Sequence, residues 1–259
     1  MPRIPRAKFP FGITHDYFTG VRAMLLQAHA NVWQAWENRL SSIVRKDSLD
    51  QEIMDVTILL DNLREYTFQF SFTPEAVEET VLRFVTGVQT YNQSQFARQT
   101  KAVLGVMPLS RNERLNAIAT AAVKENVSYI QSIPAQYHDR LETVILQGLR
   151  RGKSTSDMAE EIQKVYEVNR ERARFIARDQ AGSLMTDMTK ARHQDQGLEG
   201  FIWRTAGDGV VRDSHADLEG KRFRWDEGAR GLLPGEDYGC RCVAEVDVEE
   251  LLAFKEVNF

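Results

Sequence analysis

Both cysteines of the chain, Cys240 and Cys242, lie near its C-terminus, and one of its five histidines, His215, precedes them. In an extended segment, side chains two residues apart project to the same side, so the two thiols would form a chelating pair. Tetrahedral zinc binds thiolates together with an imidazole nitrogen or a carboxylate oxygen. The pattern therefore predicts a zinc site at His215, Cys240 and Cys242, with a fourth ligand from a nearby aspartate, namely Asp208, Asp213 or Asp237.

A second interpretation of the same residues involves no metal. Standard zinc motifs place two or more residues between paired cysteines, whereas Arg241 alone separates these two. Buried thiols also pack as small apolar side chains, and His215 would then be a hydrogen-bonding strut under a loop. A likeness to zinc deaminases fails, because those enzymes have a glutamate where this chain has Asp217 and a wider cysteine spacing.

Carboxylates also surround His215 in the sequence, and a carboxylate beside an imidazole can transfer protons. They are Asp208, Asp213, Asp217, Glu236 and Asp237. We expect these acids to pair with nearby arginines and to cap turns rather than to act as general bases. The arginines concerned are Arg204, Arg212 and Arg241.

A row of arginines predicts a surface that contacts a partner. Arg170, Arg174 and Arg178 recur every four residues, so on a helix they share one face. Such a face suits the phosphate backbone of DNA or an acidic protein surface. Alternatively, it is a solvated face whose arginines pair with Glu167 and Glu171, while Arg178 reaches the aspartates of the C-terminal loop.

The elements that position these residues are predicted to be mostly helical. Apolar residues spaced by three or four predict helices over residues 16–40 and 49–66. Thr73-Pro74-Glu75 is typical of a helix start, with a threonine cap and a proline in the first turn. The phenylalanine-rich segment 67–73 predicts a short strand or a connection, and residues 1–13, with three prolines, predict an extended arm pinned by phenylalanines.

Further along the chain, helix breaks are predicted at Gly87, Pro108-Leu109-Ser110 and Ser132-Ile133-Pro134. Ser110 and Glu113 have capping-box spacing, which predicts the start of a helix that ends near residue 130. The pattern after Pro134 predicts three more helices, over residues 135–149, from Ser154 onward, and over residues 170–193.

The last quarter of the chain changes character and predicts a small β unit over residues 200–248. Strands are expected at 201–205, at 210–212 after an Asp208-Gly209 hairpin turn, around Phe223 and Trp225, and at 241–248. In the last of these, Cys242 and Ala244 would share one face, with Glu245 on the other. The predicted class is α+β, mostly α, with a multi-helix N-terminal body and a small irregular β-containing C-terminal unit.

Composition excludes several classes of protein. The net charge of -4 gives no global sign of nucleic-acid binding, and no apolar run approaches the roughly 18 residues that a transmembrane helix needs. The N-terminal segment lacks the apolar core of a signal peptide. Two cysteines make no disulfide framework, so we expect reduced thiols and folding in a cytoplasm.

The run T-A-G-D-G-V-V-R-D-S-H-A-D-L-E-G-K over residues 205–221, followed by L-P-G-E-D-Y-G-C-R-C over 233–242, carries a family resemblance. It closely resembles the C-terminal signature of tailed-phage minor head proteins, the phage Mu F-like head morphogenesis family. Residues 174–180 resemble that family's arginine-alanine helix, although Asp179-Gln180 replaces the more usual Thr-Glu. The resemblance covers roughly residues 130–246.

By this resemblance, His215, Cys240 and Cys242 are the motif residues expected to matter most. The other motif residues, expected to be structural, are Asp208, Arg212, Ser214, Leu218, Gly220 and Arg241. Three regions are expected: a helical N-terminal region (1–130), a Mu F-like head morphogenesis domain (131–248, with helices over 135–193 and the β unit over 200–248) and a C-terminal tail (249–259).

The resemblance implies a virion structural and assembly protein rather than an enzyme. Members of that family enter the procapsid in few copies and associate with the portal protein at the portal vertex, and some bind DNA. For this chain it implies the portal protein and the major capsid or scaffold proteins as partners, with DNA as a further contact and no membrane. It also implies a location in the virion, in the head interior or at the portal vertex, after a stage in the cytoplasm of the bacterial host.

An enzymatic alternative stays open from the sequence. A metal-dependent hydrolase or nuclease would use His215, Cys240 and Cys242. Such an enzyme needs a free general base beside an open metal position, and among the acids near His215 none stands out from those that pair with arginines.

Overall fold

Long helices dominate the computed structural model, which describes residues 2–43, 49–106 and 112–258. The helices are α1 (Phe11–Ala35), α2 (Ser41–Ile43), α3 (Leu49–Tyr66), α4 (Pro74–Leu104), α5 (Asn112–Arg150), α6 (Thr155–Asp195), α7 (Asp213–Ala216) and α8 (Val248–Asn258). Two π-helical turns, Trp36–Leu40 and Thr67–Ser71, follow α1 and α3, and the strands are β1 (Gly200–Arg204), β2 (Arg222–Arg224) and β3 (Val243–Glu245). The fold is α+β and mostly α, which confirms the predicted class. None of the helices within the described ranges is long and apolar enough to cross a membrane.

Two compact units share these elements. The helical unit comprises Tyr17–Val81 and Asn126–Arg174, and the sheet unit comprises Met1–Asp16, Leu82–Glu125 and Phe175–Phe259. Both units are built from segments that are far apart in sequence. The regions expected at residues 1–130, 131–248 and 249–259 stay predictions, because packing units do not define where a functional domain begins.

Buried hydrogen bonds help to organise the core of the helical unit. The ring of His29 on α1 lies 2.9 Å from the hydroxyl of Tyr137 on α5, measured from Nδ1, and stacks on Tyr166 of α6 with 4.5 Å between ring centroids. Tyr17 donates a hydrogen bond to Oδ1 of Asn126 at 2.9 Å. Because polar groups are expensive to bury without partners, these pairs fix how the three helices pack.

Helix α5 runs through Pro134, so the break predicted at residues 132–134 is wrong. A proline inside a helix costs roughly 3 kcal/mol, since it removes a backbone donor and clashes with the preceding turn. Here Ile130, Ile133 and Tyr137 are all fully buried close to it. Burying each such side chain contributes about 1.5–3 kcal/mol, which together outweighs the cost of the proline.

Helices α4 and α6 are also longer than predicted. Helix α4 continues through Gly87, and α6 is a single helix where the sequence predicts a second one to begin at Arg170. Gly87 serves close packing rather than helix termination, because a Cβ there would lie only 3.1 Å from Cγ2 of Ile13. The break predicted at 108–110 and the cap predicted at Ser110 lie outside the described residues.

Segment 67–73 forms neither a strand nor a simple connection. Instead, Thr67–Ser71 prolongs α3 as a π-helical turn, with Thr67 and Ser71 buried. The hydroxyl of Thr67 donates to the carbonyl of Leu63 at 2.9 Å and lies 2.9 Å from Nε2 of His138. The buried hydroxyl of Thr67 thus has two partners, which favours helical geometry over the alternating pattern.

The sheet has the strand order β2-β1-β3, with both pairs antiparallel. Phe201 lies opposite Phe223, and Trp203 lies opposite Ala244. The hairpin predicted after Asp208 is wrong, because β1 pairs with β2 and β3 and not with residues 210–212. The backbone N–H of Val210 instead donates to the Asp208 carboxylate at 3.3 Å, in a turn closed by the aspartate side chain.

Residues 2–10 form no helix or strand, in agreement with the predicted N-terminal arm, although α1 begins at Phe11, before the predicted end of the arm at residue 13. The backbone N–H of Ala7 donates to Oε2 of Glu245 at 2.6 Å, and the side chain of Gln95 on α4 bonds both the N–H and the carbonyl of Lys8 at 2.7 Å. Of the two phenylalanines expected to pin the arm, Phe9 is buried, whereas Phe11 is 49% exposed and begins α1. Backbone hydrogen bonds therefore hold the arm as much as apolar burial does.

Buried histidines make stability depend on pH. Burial lowers the pKa of His138 in the helical unit and of His193 in the sheet unit to about 4 from the usual 6.5. The unfolded chain binds these protons first, so the free energy of unfolding should fall as the pH drops from about 6.5 towards 4, by at most roughly 3 kcal/mol per histidine. Urea unfolding across this pH range tests the prediction.

A matched pair of variants separates histidine from the carboxylates that titrate in the same range. His193→Phe keeps an aromatic ring beside Trp225, whose centroid lies 5.3 Å from the imidazole, and should flatten the pH dependence. His15→Phe replaces an exposed histidine and should leave the pH dependence of the free energy of unfolding unaltered. Equal pH dependence in wild type and His193→Phe would contradict the prediction.

Candidate metal centre

Helix α7 places His215 under the sheet. Arg212 precedes the helix in an extended conformation, and its carbonyl accepts the N–H groups of His215 and Ala216 at 2.9 Å, which closes the single turn. The imidazole is buried, with its ring edge-on to Trp203 at 5.6 Å between centroids.

The two cysteines lie in the segment that leads into β3. Gly239 has a φ of +63°, a left-handed conformation that favours glycine, and the N–H of Cys240 donates to the carbonyl of Asp237 at 2.8 Å. Both thiols are free and buried. They belong to the apolar core of the sheet unit, which also contains Phe201, Trp203, Trp225, Ala229, Leu233 and Ala244.

The structure brings His215, Cys240 and Cys242 together, as the sequence predicts for a zinc site. Nδ1 of the imidazole lies 3.4 Å from Sγ of Cys240 and 3.6 Å from Sγ of Cys242. One donor atom from each residue lies within 4.8 Å of the others. Two soft sulfur donors and an imidazole nitrogen at these separations form a chelating set for a thiophilic metal.

The aspartates predicted as fourth ligands have other partners or positions. Asp237 bonds Nε2 of His215 at 3.1 Å, on the ring nitrogen that faces away from the sulfurs, and also accepts from Arg212 at 3.1 Å. Asp208 pairs with Arg241 through two contacts of 2.5 and 2.9 Å. Asp213 begins α7. The predicted pairing of aspartates with Arg212 and Arg241 is therefore confirmed. The predicted pairing of the same group of acids with Arg204 is wrong, because Arg204 binds Glu219 and Glu245 instead.

The two thiols have different acidities. A hydrogen bond from the Cys242 thiol lowers the pKa of the Cys240 thiol to about 5, against the opposing effect of burial, with further lowering by backbone N–H groups and His215. The same hydrogen bond, together with burial, raises the pKa of the Cys242 thiol. A thiolate therefore forms readily at Cys240 at neutral pH, and the thiolate is the form that ligates metals.

A cleft of about 380 Å³ opens beside these three residues. Its walls include the three residues themselves, Arg178 of α6, and Tyr238, which stacks on Phe175 with 3.9 Å between ring centroids. Arg212 and Arg241 also line it. The cleft thus combines soft donor atoms with arginine side chains.

The predicted arginine row is divided between environments. Arg170 lies 2.8 Å from Glu167 and 3.0 Å from Glu171, and Arg174 lies 3.2 Å from Glu171, all on α6 and largely exposed. These two arginines therefore match the alternative of a solvated, self-paired face. Arg178 lines the cleft, and no described residue forms an ion pair or hydrogen bond with its guanidinium.

The remaining motif residues support the loops around the cluster. Arg212 donates to the carbonyl of Tyr238 at 2.5 Å, Leu218 packs against the apolar core, and Ser214 is exposed on α7. Gly220 has a φ of +74° and its N–H donates to the carbonyl of Trp203 at 2.9 Å. The turn after α7 therefore requires glycine.

Sequence reasoning missed an ion network centred on Arg204. Its guanidinium lies 2.7 Å from Glu245 and 3.1 Å from Glu219, and Glu219 also bonds Arg6 of the arm at 3.0 Å. Alternation along β3 places Glu245 on the face opposite Ala244, yet both residues are buried, because the arm covers the glutamate through Ala7. The burial of Glu245 follows from this long-range contact, and no local sequence pattern indicates it.

Close backbone contact also fixes the loop before the cysteines onto α6. Gly235 has a φ of +88°, and a Cβ at this position would lie 2.6 Å from the carbonyl oxygen of Gly182. The hydroxyl of Thr186, one turn further along the helix, donates to the carbonyl of Pro234. The loop carrying Cys240 is thereby anchored to a helix rather than left in solvent.

Comparison with known proteins supports the resemblance seen in the sequence. Residues 139–245 match the family described as Phage Mu protein F like protein. A curated Haemophilus influenzae protein, named only as an uncharacterised protein, is 28% identical over 217 residues. That alignment covers 82% of this chain and 48% of the relative, so the chain spans about half the length of the protein it matches. No solved structure matches the chain significantly.

The matched range contains the whole His–Cys–Cys cluster, the cleft beside it and the sheet that supports both. It begins within α5 and ends with β3. The similarity to the phage Mu protein F-like family over residues 139–245 therefore includes the whole candidate metal centre.

Proposed function

We propose that this chain is a minor head protein of a tailed phage that acts in procapsid assembly and head morphogenesis at the portal vertex. The family match over residues 139–245 carries the proposal. Its partners are then the portal protein and the major capsid or scaffold proteins, which it meets in the cytoplasm of the bacterial host. Its final location is the virion, in the head interior or at the portal vertex.

The proposal includes a contact between the cleft and an anionic partner surface, with packaged DNA as the candidate. Arg178 supports this contact, because its cation lines the cleft and pairs with no described residue. Arg170 and Arg174, in contrast, already pair with glutamates of their own helix. We therefore assign the partner contact to Arg178 rather than to the full row of three.

Two arms of one particle experiment test these assignments. Mass spectrometry of purified procapsids and virions from the source phage or induced prophage should detect the protein in both, at a few copies per particle. Complementation with Arg178→Gln should lower the copy number several-fold in DNA-filled virions but not in procapsids, since the lost cation–anion contact is with packaged DNA. Arg170→Gln, which removes a self-paired surface arginine, is the matched control and should leave the copy number unchanged.

Absence from particles, together with abundance in the lysate, would overturn the head-protein proposal. Equal incorporation of both arginine variants would instead remove only the assignment to Arg178. Thermal unfolding of the purified full chain, measured in parallel, shows whether Arg178→Gln acts by unfolding, which is unexpected because no described residue pairs with its guanidinium.

The contacts around the cluster also favour a non-enzymatic role over the hydrolase or nuclease alternative. A metal-dependent hydrolase needs a carboxylate or imidazole free to take a proton from the attacking water. Asp237 is engaged by His215 and Arg212, and Asp208 is engaged by Arg241. These acids serve as structural partners of the cluster and its loops.

A further inference from the structure

We propose that Nδ1 of His215 and the sulfur atoms of Cys240 and Cys242 bind one Zn²⁺ ion, which forms a structural centre of the sheet unit. The inference is independent of the proposed function, because it rests on the local geometry of three side chains. The two segments that the ion would join are 25 and 27 residues apart in sequence, between α7 and the approach to β3.

The distances between donor atoms fit a tetrahedral zinc site. Zn–S bonds of about 2.3 Å and Zn–N bonds of about 2.0 Å at a tetrahedral angle separate nitrogen from sulfur by about 3.5 Å. The observed separations are 3.4 Å for Cys240 and 3.6 Å for Cys242. The side chains therefore need little rearrangement to hold an ion among them.

A carboxylate on the other side of the imidazole also supports a metal-ligand role for His215. Nε2 of His215 lies 3.1 Å from Asp237, whose carboxylate is itself held by Arg212 at 3.1 Å. A histidine that ligates a metal usually donates its other N–H to a carboxylate, which fixes the tautomer and the ring orientation. With the proton on Nε2, the lone pair of Nδ1 faces both sulfurs.

The chemistry of the donors selects the metal. Two thiolates and one imidazole suit Zn²⁺, whereas Mg²⁺ and Ca²⁺ require oxygen ligands. Three protein ligands leave the fourth tetrahedral position to a ligand from the cleft, which all three residues line. The centre is structural rather than catalytic because Asp208 and Asp237 are held by Arg241 and Arg212 and do not supply a free base at that position. The sheet itself is small, with strands of only five, three and three residues, so a metal crosslink would add substantially to its stability.

Metal analysis of the full chain, purified without chelators or a polyhistidine tag, tests the site. We expect about one zinc per chain in the wild type and none above background in Cys240→Ser/Cys242→Ser. After chelation, added Co²⁺ should give thiolate charge-transfer and tetrahedral absorption bands. This spectrum needs no variant, so the proposal stays testable even where the double substitution prevents folding.

Asp237→Asn tests the carboxylate that bonds Nε2 of His215 separately from the metal ligands. It should still bind the ion but with an affinity about 10- to 100-fold lower, measured by competition with a chromophoric chelator. Asp226→Asn changes an exposed aspartate that pairs with Arg224, and should leave the affinity unchanged. Wild-type protein without zinc and without a tetrahedral Co²⁺ spectrum, or with a Cys240–Cys242 disulfide or stoichiometric iron instead, would overturn the proposal.

Discussion

Replacing Gly235 with alanine is expected to lower the free energy of unfolding by roughly 2–4 kcal/mol. The left-handed backbone at this position, with a φ of +88°, already disfavours a side chain. A Cβ would in addition lie 2.6 Å from the carbonyl oxygen of Gly182, which is backbone in the middle of α6 and cannot move aside. Urea unfolding, together with amide hydrogen exchange in the sheet unit, measures the loss.

Gly231→Ala provides a matched control for the steric part of this effect. Its φ of +83° is nearly the same, but a Cβ there would meet no atom within 4 Å. This variant should carry only the conformational cost, about 1–2 kcal/mol. If the two variants were equally destabilised, the close approach of the loop to α6 would not be an important constraint.

The second large effect is expected at Glu245. Glu245→Ala should cost roughly 3–5 kcal/mol, because it breaks a buried ion pair and leaves its partners unsatisfied. Glu245 is 2% exposed. Its carboxylate lies 2.7 Å from the guanidinium of Arg204 and accepts a hydrogen bond from the backbone N–H of Ala7 at 2.6 Å. Thermal or urea unfolding of the purified chain measures the change.

Two comparisons sharpen the interpretation of that variant. Glu245→Gln keeps an acceptor for the arm but removes the charge, so it should be destabilised less than Glu245→Ala. Glu199→Ala breaks an ion pair with Arg224 in which both side chains are at least half exposed, and it should leave the stability almost unchanged. A Glu245→Ala variant as stable as Glu199→Ala would show that the arm and the ion network contribute little.

Local patterns predict the helices well where apolar spacing is regular, and poorly where a glycine or proline indicates a helix break. The helix over residues 49–66 has the predicted bounds. Pro134 and Gly87, in contrast, lie inside long helices because tertiary packing around them outweighs their local cost. Propensity acts within a few residues, whereas this packing comes from distant segments.

The candidate site was predictable in its residue types and not in its support. The spacing of Cys240 and Cys242 and the position of His215 were sufficient to predict the cluster. Two supporting roles depend on contacts between residues far apart in sequence. Asp237 bonds the imidazole of His215, and the buried Glu245 bonds Ala7 of the N-terminal arm. Strands of three residues also carry too few positions for an alternating pattern to define a register.

The bond between Ala7 and Glu245 joins positions 238 residues apart, and it bears on the order of folding during synthesis. A ribosome exposes Ala7 first and must translate β3 before this contact can form, so the sheet unit completes late. The same logic applies to fragments. A fragment cut to the family-matched residues 139–245 would lose both the arm and α4, including Gln95, which binds the arm. We therefore expect such a fragment to aggregate, and expression of the sheet unit to require residues 2–16 and 82–125 as well.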